Sequence, residues 1–277
     1  MNQNIKKITL FSKNKDIDCK KILDIMSSNG VKILNTEFAI ESVIKNVDAI
    51  SQCDAVIALG GDGTILAAAR ASAKYNKPIL GINMGYLGFM TELEENDTVS
   101  LQKILDGEYI LESRMMLDIS VQNTAGSVEN FIALNDAVVS RGAFSSIMNI
   151  TATNGETVIQ EYRADGVIIA TPTGSTAYSL SAGGPIVDPT NNLMLITPVC
   201  PHALHSRSIV VSSVETIGIT VGDAELHDAT LSVDGHAGCK IINGDTVLIK
   251  ASELKTSLIR MPGYSFYDVL RIKMEDR

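Results

Sequence analysis

Cysteine is scarce in this chain and poorly placed for chemistry. The four cysteines, at positions 19, 53, 200 and 239, are far apart and form no Cys-x-x-Cys pair. That argues against a disulfide framework or a zinc site and fits a reducing compartment. Positive charge is short as well, with 23 Lys and Arg against 32 Asp and Glu, a net charge of -9 and no basic block. Such a balance argues against a nucleic-acid partner or an anionic membrane surface, although amides and a few placed cations still suffice to hold a phosphate. No apolar run approaches bilayer-spanning length, and the opening Met-Asn-Gln-Asn-Ile-Lys-Lys lacks the apolar core of a signal peptide. A soluble, cytoplasmic protein with no membrane partner is therefore expected. Internal repeats and low-complexity linkers are missing too. What is present, 277 residues of which 45% are hydrophobic, suits two globular domains.

Strands alternate with helices as far as about residue 112. Residues 7–12 read as a strand, and Cys19, Ile22, Leu23 and Met26 mark one helical face that Asn29-Gly30 ends. The runs 31–34, 54–59 and 78–82 continue a parallel arrangement, and Leu101, Ile104 and Leu105 stripe a helix stopped by Gly107. Beyond this the helical period fades. Leu117, Ile119 and Val121 alternate with polar neighbours, and Asn154-Gly155 between two β-prone runs signals a hairpin. Short β runs follow at 167–170, 209–211, 217–221, 230–233 and 247–250. The expected fold is α/β plus β: an N-terminal Rossmann-like α/β domain over residues 1–112 and a C-terminal β-rich domain over 113–258. Residues 259–277 are expected to return to the first domain, and the ligand site is expected in the cleft between the two.

The most informative motif is Gly60-Gly61-Asp62-Gly63, directly after the apolar run 54–59 and before the helix-prone Thr64-Ile65-Leu66-Ala67-Ala68-Ala69-Arg70. Glycines at such a crossing bring bare amides close to a ligand, and amides at a helix N-terminus cradle phosphate. Gly60, Gly61, Gly63 and Thr64 are the candidate phosphate-binding residues. Asp62 is the odd member, because a carboxylate repels phosphate. It points to chemistry on a hydroxyl beside the phosphates, or to a metal ion between them. The plainer alternative is a tight turn with Asp62 capping the helix.

Three further clusters qualify. Asn83-Met84-Gly85-Tyr86-Leu87-Gly88-Phe89 follows an apolar strand and reads equally as a packed loop or a ligand contact. Asn135-Asp136 interrupts an apolar stretch, and a buried polar pair needs a partner, either internal backbone or a ligand. Arg163-Ala164-Asp165-Gly166 leads through a strand into Thr171-Pro172-Thr173-Gly174-Ser175-Thr176-Ala177-Tyr178. Such a loop is rich enough in hydroxyls to bond a sugar or base, with Tyr178 as a stacking face, or it is an ordinary Ser/Thr network. His202 and His205 have His-x-x-His spacing without a carboxylate motif, so a structural role and no metal site are expected.

Together these blocks resemble the NAD kinase family from end to end. Its Gly-Gly-Asp-Gly motif stands at Gly60 to Gly63, its Asn-x-Gly-x-Leu-Gly-Phe motif at Asn83 to Phe89, and its Asn-Glu/Asp pair at Asn135-Asp136. The long family block from Asp165 to Tyr178 continues through Ser181 and Gly183-Gly184-Pro185. Two departures occur: Asp136 stands where many members have Glu, and His236 where many have Gln. The resemblance implies ATP-dependent phosphorylation of NAD at the 2′-hydroxyl of its adenosine ribose, giving NADP. Asp62 would accept the hydroxyl proton, while Gly61 and Gly63 amides and Mg²⁺, or another divalent cation carried in with ATP, neutralise charge. Asn135 and Asp136 are assigned to the adenosine, and Thr176, Ala177, Tyr178 and Ser181 to the base and ribose pocket. Arg163 and Asp165 reach other parts of the dinucleotide, and Asp62, Gly63, Ser179 and His236 complete the NAD-binding set. A homodimer or homotetramer is implied. Two rivals stay open: a lipid or sugar kinase sharing only the Gly-Gly-Asp-Gly-Thr device, and a non-catalytic NAD(P) sensor.

Overall fold

The computed structural model describes residues 4–275 apart from 16, 39–46, 86–87, 125, 143–145 and 204. The chain divides into two compact units, one built from Met1–Arg114 and Leu254–Arg277, the other from Met115–Glu253.

In the first unit strands and helices alternate: β1 (Lys7–Ser12), α1 (Lys20–Ser28), β2 (Lys32–Phe38), α2 (Val47–Gln52), β3 (Ala55–Leu59), α3 (Asp62–Ser72), β4 (Ile79–Asn83), β5 (Leu93–Glu94) and α4 (Thr98–Leu105). The strands pair parallel in the order β4-β3-β1-β2, and the short β5 joins the C-terminal end of β4. Every residue of β3 and β4 is buried, the pattern of strands covered on both faces. Helix α1 buries Ile22 and Met26, one turn apart, against Leu10, Ile57 and Leu80 of the sheet. Helix α4 starts on the side chain of Asp97, which accepts from Ser100 N, and buries Leu101, Ile104 and Leu105. The strand order reverses between β1 and β3. Gly60 leaves the C-terminal end of β3 at that reversal, where open α/β sheets bind their ligands.

The second unit is antiparallel. It is entered on β6 (Ile110–Gln122) and continues through β7 (Val128–Ala133), β8 (Asp136–Ser140), β9 (Met148–Asn154), β10 (Thr157–Ala164) and β11 (Gly166–Ala170). After α5 (Tyr178–Ser181) come β12 (Leu193–Val199), β13 (Ile209–Ser212), β14 (Thr216–Gly222), β15 (Thr230–Val233) and β16 (His236–Lys240). Strand β17 (Thr246–Arg260) leaves the unit, and α6 (Phe266–Glu275) follows in the first. One sheet runs β13-β12-β11-β8-β15-β16; the other joins β10-β9-β14-β17 to β6 and β7. Alternate residues from both sheets share one core, among them Leu117, Ile119 and Val121 of β6 and Val139, Ile169 and Val233 of the other sheet. The opposite faces of β8 and β11 present Val138, Ile168 and Ala170 to a second core closed by Ala182 and Val187. Burial on both faces explains why residues 167–170 show no polar alternation despite antiparallel neighbours.

Several elements differ from the sequence reading. Strand β2 runs on to Phe38, past residue 34. Asn154 pairs with Thr157, so the hairpin turns on Gly155 (φ +55°) and Glu156, one residue later than the Asn-Gly pair suggests. Strand β12 gave no signal because Pro198 lies in it, and β16 gave none because His-Ala-Gly-Cys-Lys has little β preference.

Candidate active site

Helix α3 begins at Asp62 with Gly61 as its N-cap residue, so Asp62 lies inside the first turn and does not cap it. Its carboxylate accepts instead from two backbone amides, Phe89 N on Oδ2 and Met90 N on Oδ1, each at 3.0 Å. Gly88 is the close approach that allows this, since a Cβ there would lie 2.9 Å from Asp62 Cγ. Asn83, buried at the end of β4, fixes the start of the same segment. Its Nδ2 donates to Gly85 O at 2.8 Å and to the Glu94 carboxylate at 2.9 and 3.1 Å. Gly88 is buried, and the amides of Phe89 and Met90 that follow it grip Asp62; Tyr86 and Leu87 lie outside the described residues.

Two of the expected phosphate contacts are engaged elsewhere. Gly60 N donates to Ile82 O, and Thr64 N closes onto Gly61 O, each at 3.0 Å. The Thr64 side chain is also buried. Gly61, Asp62 and Gly63 keep amides with no carbonyl four residues back in the helix. Those amides sit at the positive end of a helix of 11 residues, where negative charge is favoured.

In the second unit, Asn135 and Asp136 stand buried where β7 hands over to β8. Asp234 holds this corner. Its Oδ2 accepts from Leu134 N at 3.0 Å, and its Oδ1 from Asn135 N at 2.8 Å and Asp136 N at 3.2 Å. Asp234 N in turn donates to Asp136 O at 3.0 Å. Asp234 and Gly235 form the turn between β15 and β16 with φ of +48° and +74°, the conformation a two-residue type I′ hairpin demands. Asp234 was not among the expected site residues. An Asp-Gly pair between β runs signals a turn but does not say which strand its carboxylate will reach.

Two features of this corner point to a ligand. Asn135 Oδ1 is buried without a hydrogen-bond partner, which is costly unless something else supplies a donor. Burial, and then the charge of Asp234, push the Asp136 carboxyl up to about 7. A carboxyl poised there can donate as well as accept, as a sugar hydroxyl requires. The hydroxyl-rich loop packs directly on the corner. Thr171 N donates to Asn135 O at 2.8 Å, Thr171 Oγ1 donates to Leu134 O at 2.6 Å, and a Cβ on Gly174 would lie 2.6 Å from the Asn135 carbonyl carbon.

The other expected contacts divide by exposure. Tyr178 heads α5 with 43% of its surface exposed, so it is no core residue. Thr176 and Ala177 are half-buried, while Ser181, His236 and Arg163 are exposed. Asp165 is paired with Arg141, Oδ1 to Nε 2.7 Å. Ser179 is fully buried, and its hydroxyl shares a 3.0 Å hydrogen bond with Thr197 Oγ1. His202 and His205 are exposed, and among the described residues no group of three His, Cys, Asp or Glu is gathered around a point.

A carboxylate gripped by amides, beside helix-terminal amides that have no partner in their own helix, is equipped to move a phosphoryl group onto a hydroxyl. That chemistry is the work of a phosphotransferase. Comparison with known proteins narrows the class. The ATP-NAD kinase N-terminal domain matches residues 1–109 and the ATP-NAD kinase C-terminal domain residues 134–261. The NAD kinase of Caldanaerobacter subterraneus subsp. tengcongensis is 45% identical over 96% of both chains. That of Thermoanaerobacter sp. (strain X514) is 50% identical over 84% of this chain and 82% of its own. Among solved structures, yeast NADH kinase complexed with NADH superposes with TM-score 0.84 at 20% identity, covering 98% of this chain and 88% of that one. An NAD kinase from Archaeoglobus fulgidus in complex with ATP gives TM-score 0.77 at 23% identity over 98% and 99%. At such identities the structures speak for the fold. The chain belongs to the NAD kinase family. Its reaction is the ATP-dependent phosphorylation of NAD to NADP, with NAD and ATP as substrates. No helix among the described residues is long and apolar enough to cross a membrane.

Proposed function

We propose that Asp62 takes the proton from the 2′-hydroxyl of the adenosine ribose of NAD as the terminal phosphoryl group of ATP moves onto that oxygen. The observation that carries this reading is the pair of 3.0 Å amide bonds from Phe89 and Met90, which hold a carboxylate still beside phosphate-ready amides. A hydroxyl is a weak nucleophile until a positioned base accepts its proton. The phosphoryl transition state is loose, so alignment and charge neutralisation supply most of the catalysis. Gly61 and Gly63 offer their amides to the phosphates. The loop provides a single carboxylate, Asp62, beside the phosphate-ready amides, a donor set that suits a divalent cation, Mg²⁺ or another, carried mainly by the ATP phosphates. Once bound, the cation spreads the negative charge of the transferring group.

Asn135 and Asp136 hold the adenosine, the first through its unpartnered Oδ1 and the second through a carboxyl able to donate or accept. Thr176, Ala177, Tyr178 and Ser181 line the base and ribose, with Arg163, Asp165 and His236 on other parts of NAD. A cytoplasmic homodimer or homotetramer is part of the same reading, supported by family resemblance; light scattering of the purified chain tests the assembly.

The deciding experiment is NADP formation by Asp62→Asn. Turnover is expected to fall by about 10²–10⁴-fold, the usual contribution of a positioned base. NAD binding should persist. Near wild-type turnover would remove Asp62 from the role. The same assay on the unaltered chain disposes of the sensor alternative, and a panel of lipid and sugar acceptors disposes of the other rival.

A further inference from the structure

The loop that grips Asp62 is itself gripped from its other side. Strand β17 ends at Arg260, which is fully buried. Arg260 Nη1 donates to Met90 O at 3.0 Å and to Thr91 O at 3.2 Å, and reaches Glu92 Oε2 at 3.1 Å. Its Nε donates to Glu112 Oε1 at 3.1 Å. The next residue continues the hold, with Met261 N donating to Glu92 Oε1 at 2.7 Å. Tyr264 lays its ring 4.0 Å from the Arg260 guanidinium carbon, and its hydroxyl approaches Phe89 O at 3.5 Å. The ring of Phe266 packs near that of Phe89.

Peptide geometry turns these contacts into a relay. The carbonyl of Phe89 and the amide of Met90 belong to one rigid planar unit. Tyr264 touches its oxygen, and Asp62 Oδ1 receives its N–H. Arg260 pins the following carbonyl. Contacts at both ends restrain this planar unit, and hydrogen bonds in series strengthen one another. Arg260 is buried between the carboxylates of Glu92 and Glu112, with its Nη2 left without a hydrogen-bond partner. Burial alone would raise Glu112, but Arg114 and Arg260 beside it hold its carboxyl below the ordinary value. Arg114 bonds Glu112 as well, so Glu112 keeps a partner of its own. A guanidinium is suited to this work because its flat fork meets carbonyls and carboxylates at fixed angles, which an ammonium does not.

We propose that Arg260 is a positioning residue for the phosphoryl transfer, acting through the peptides of residues 89–91 to set the Asp62 carboxylate, with Tyr264 as its brace. The proposal rests on the reading of Asp62 as the base.

The test is a double-mutant cycle on the full chain, with Arg260→Lys made in the wild-type and Asp62→Asn backgrounds. Lysine keeps the charge facing Glu92 and Glu112 and loses the fork. In the wild-type background kcat should fall by about 10–100-fold, the scale of a small misplacement of a reacting group, with KM for NAD and ATP nearly unchanged. In the Asp62→Asn background the same substitution should remove less than about threefold, because residues acting as one unit are not additive. A folded Arg260→Lys protein with unchanged kcat overturns the proposal, as does an equal loss in both backgrounds or a loss confined to KM. If Arg260→Lys does not fold, Tyr264→Phe decides, since the ring stays and only the hydroxyl goes. A drop in kcat that Asp62→Asn abolishes supports the relay, and an unchanged kcat refutes it. Asp62→Asn alone, scored separately, shows whether the base reading itself has failed.

Discussion

Replacing Asp136 by asparagine should make the free protein more stable and the enzyme worse. The Asp136 carboxyl titrates at about 7 in the folded chain against 3.8 for an ordinary aspartate, burial being the larger cause and the Asp234 charge the smaller. At about 1.4 kcal/mol per pH unit, folding disfavours the ionised form by about 4 kcal/mol. The sign follows from proton counting. Between about pH 4 and pH 7 the folded chain holds a proton that the unfolded chain has lost, so stability falls as pH rises through that window and levels off above it. Asparagine has the same shape and no charge to bury. The variant is therefore expected to gain up to about 4 kcal/mol near pH 8 and less than about 1 kcal/mol near pH 4. Urea unfolding of both unliganded proteins across that range, followed by circular dichroism, measures the difference. NAD affinity of the same variant, by calorimetry near neutral pH, should weaken by roughly 1–3 kcal/mol as an adenosine partner is lost. A stability difference that does not vary with pH, or a variant less stable than wild type near pH 8, refutes the reasoning.

Three further outcomes are expected. Asn135→Ala removes the orphaned acceptor, so NAD binding should weaken by roughly 1–3 kcal/mol with ATP affinity almost untouched; unchanged NAD affinity in calorimetry would return Asn135 to a purely structural role. Tyr178→Phe should be nearly silent and Tyr178→Ala should weaken NAD binding by about 1–3 kcal/mol, as for a base stacked on a ring. A lower melting temperature with intact NAD affinity in Tyr178→Ala would instead mark the ring as packing. Gly174→Ala drives a methyl group against the Asn135 carbonyl, so it should destabilise the chain by about 1–3 kcal/mol and loosen NAD binding together; a variant matching wild type in both melting temperature and affinity would show that the loop yields freely.

Much of the first unit was legible because its signals are local. The faces of α1 and α4, the buried runs of β3 and β4 and the glycines after β3 all lie within a few residues of what they determine. The β sandwich was legible only in part. Strand β12 carries a proline that argues against a strand, and its place is set by pairing with β11 and β13, which no short window reveals. The site divides in the same way. Residue types announced themselves at Gly60 to Gly63, at Asn135-Asp136 and in the 171–178 loop. Which of their groups are still free did not, because engagement is decided by neighbours far along the chain. Gly60 N, Thr64 N and Ser179 Oγ, for example, make hydrogen bonds to Ile82, Gly61 and Thr197 that residue type alone does not reveal.

The three aspartates make the point most clearly, since sequence gives each the same side chain. Asp62 meets amides 27 and 28 residues away, and both of its oxygens are held. Asp234 meets three amides, the farthest 100 residues away, at the corner where β8 begins. Asp136 lies buried beside it and is therefore the carboxyl forced toward the neutral form. A proton held there can be offered to a ligand oxygen, whereas Asp62 is half-exposed and held by its two amides. The contrast between the two carboxyls arises from burial and a neighbouring charge at Asp136 and from two backbone amides at Asp62, and the fold alone brings those neighbours together.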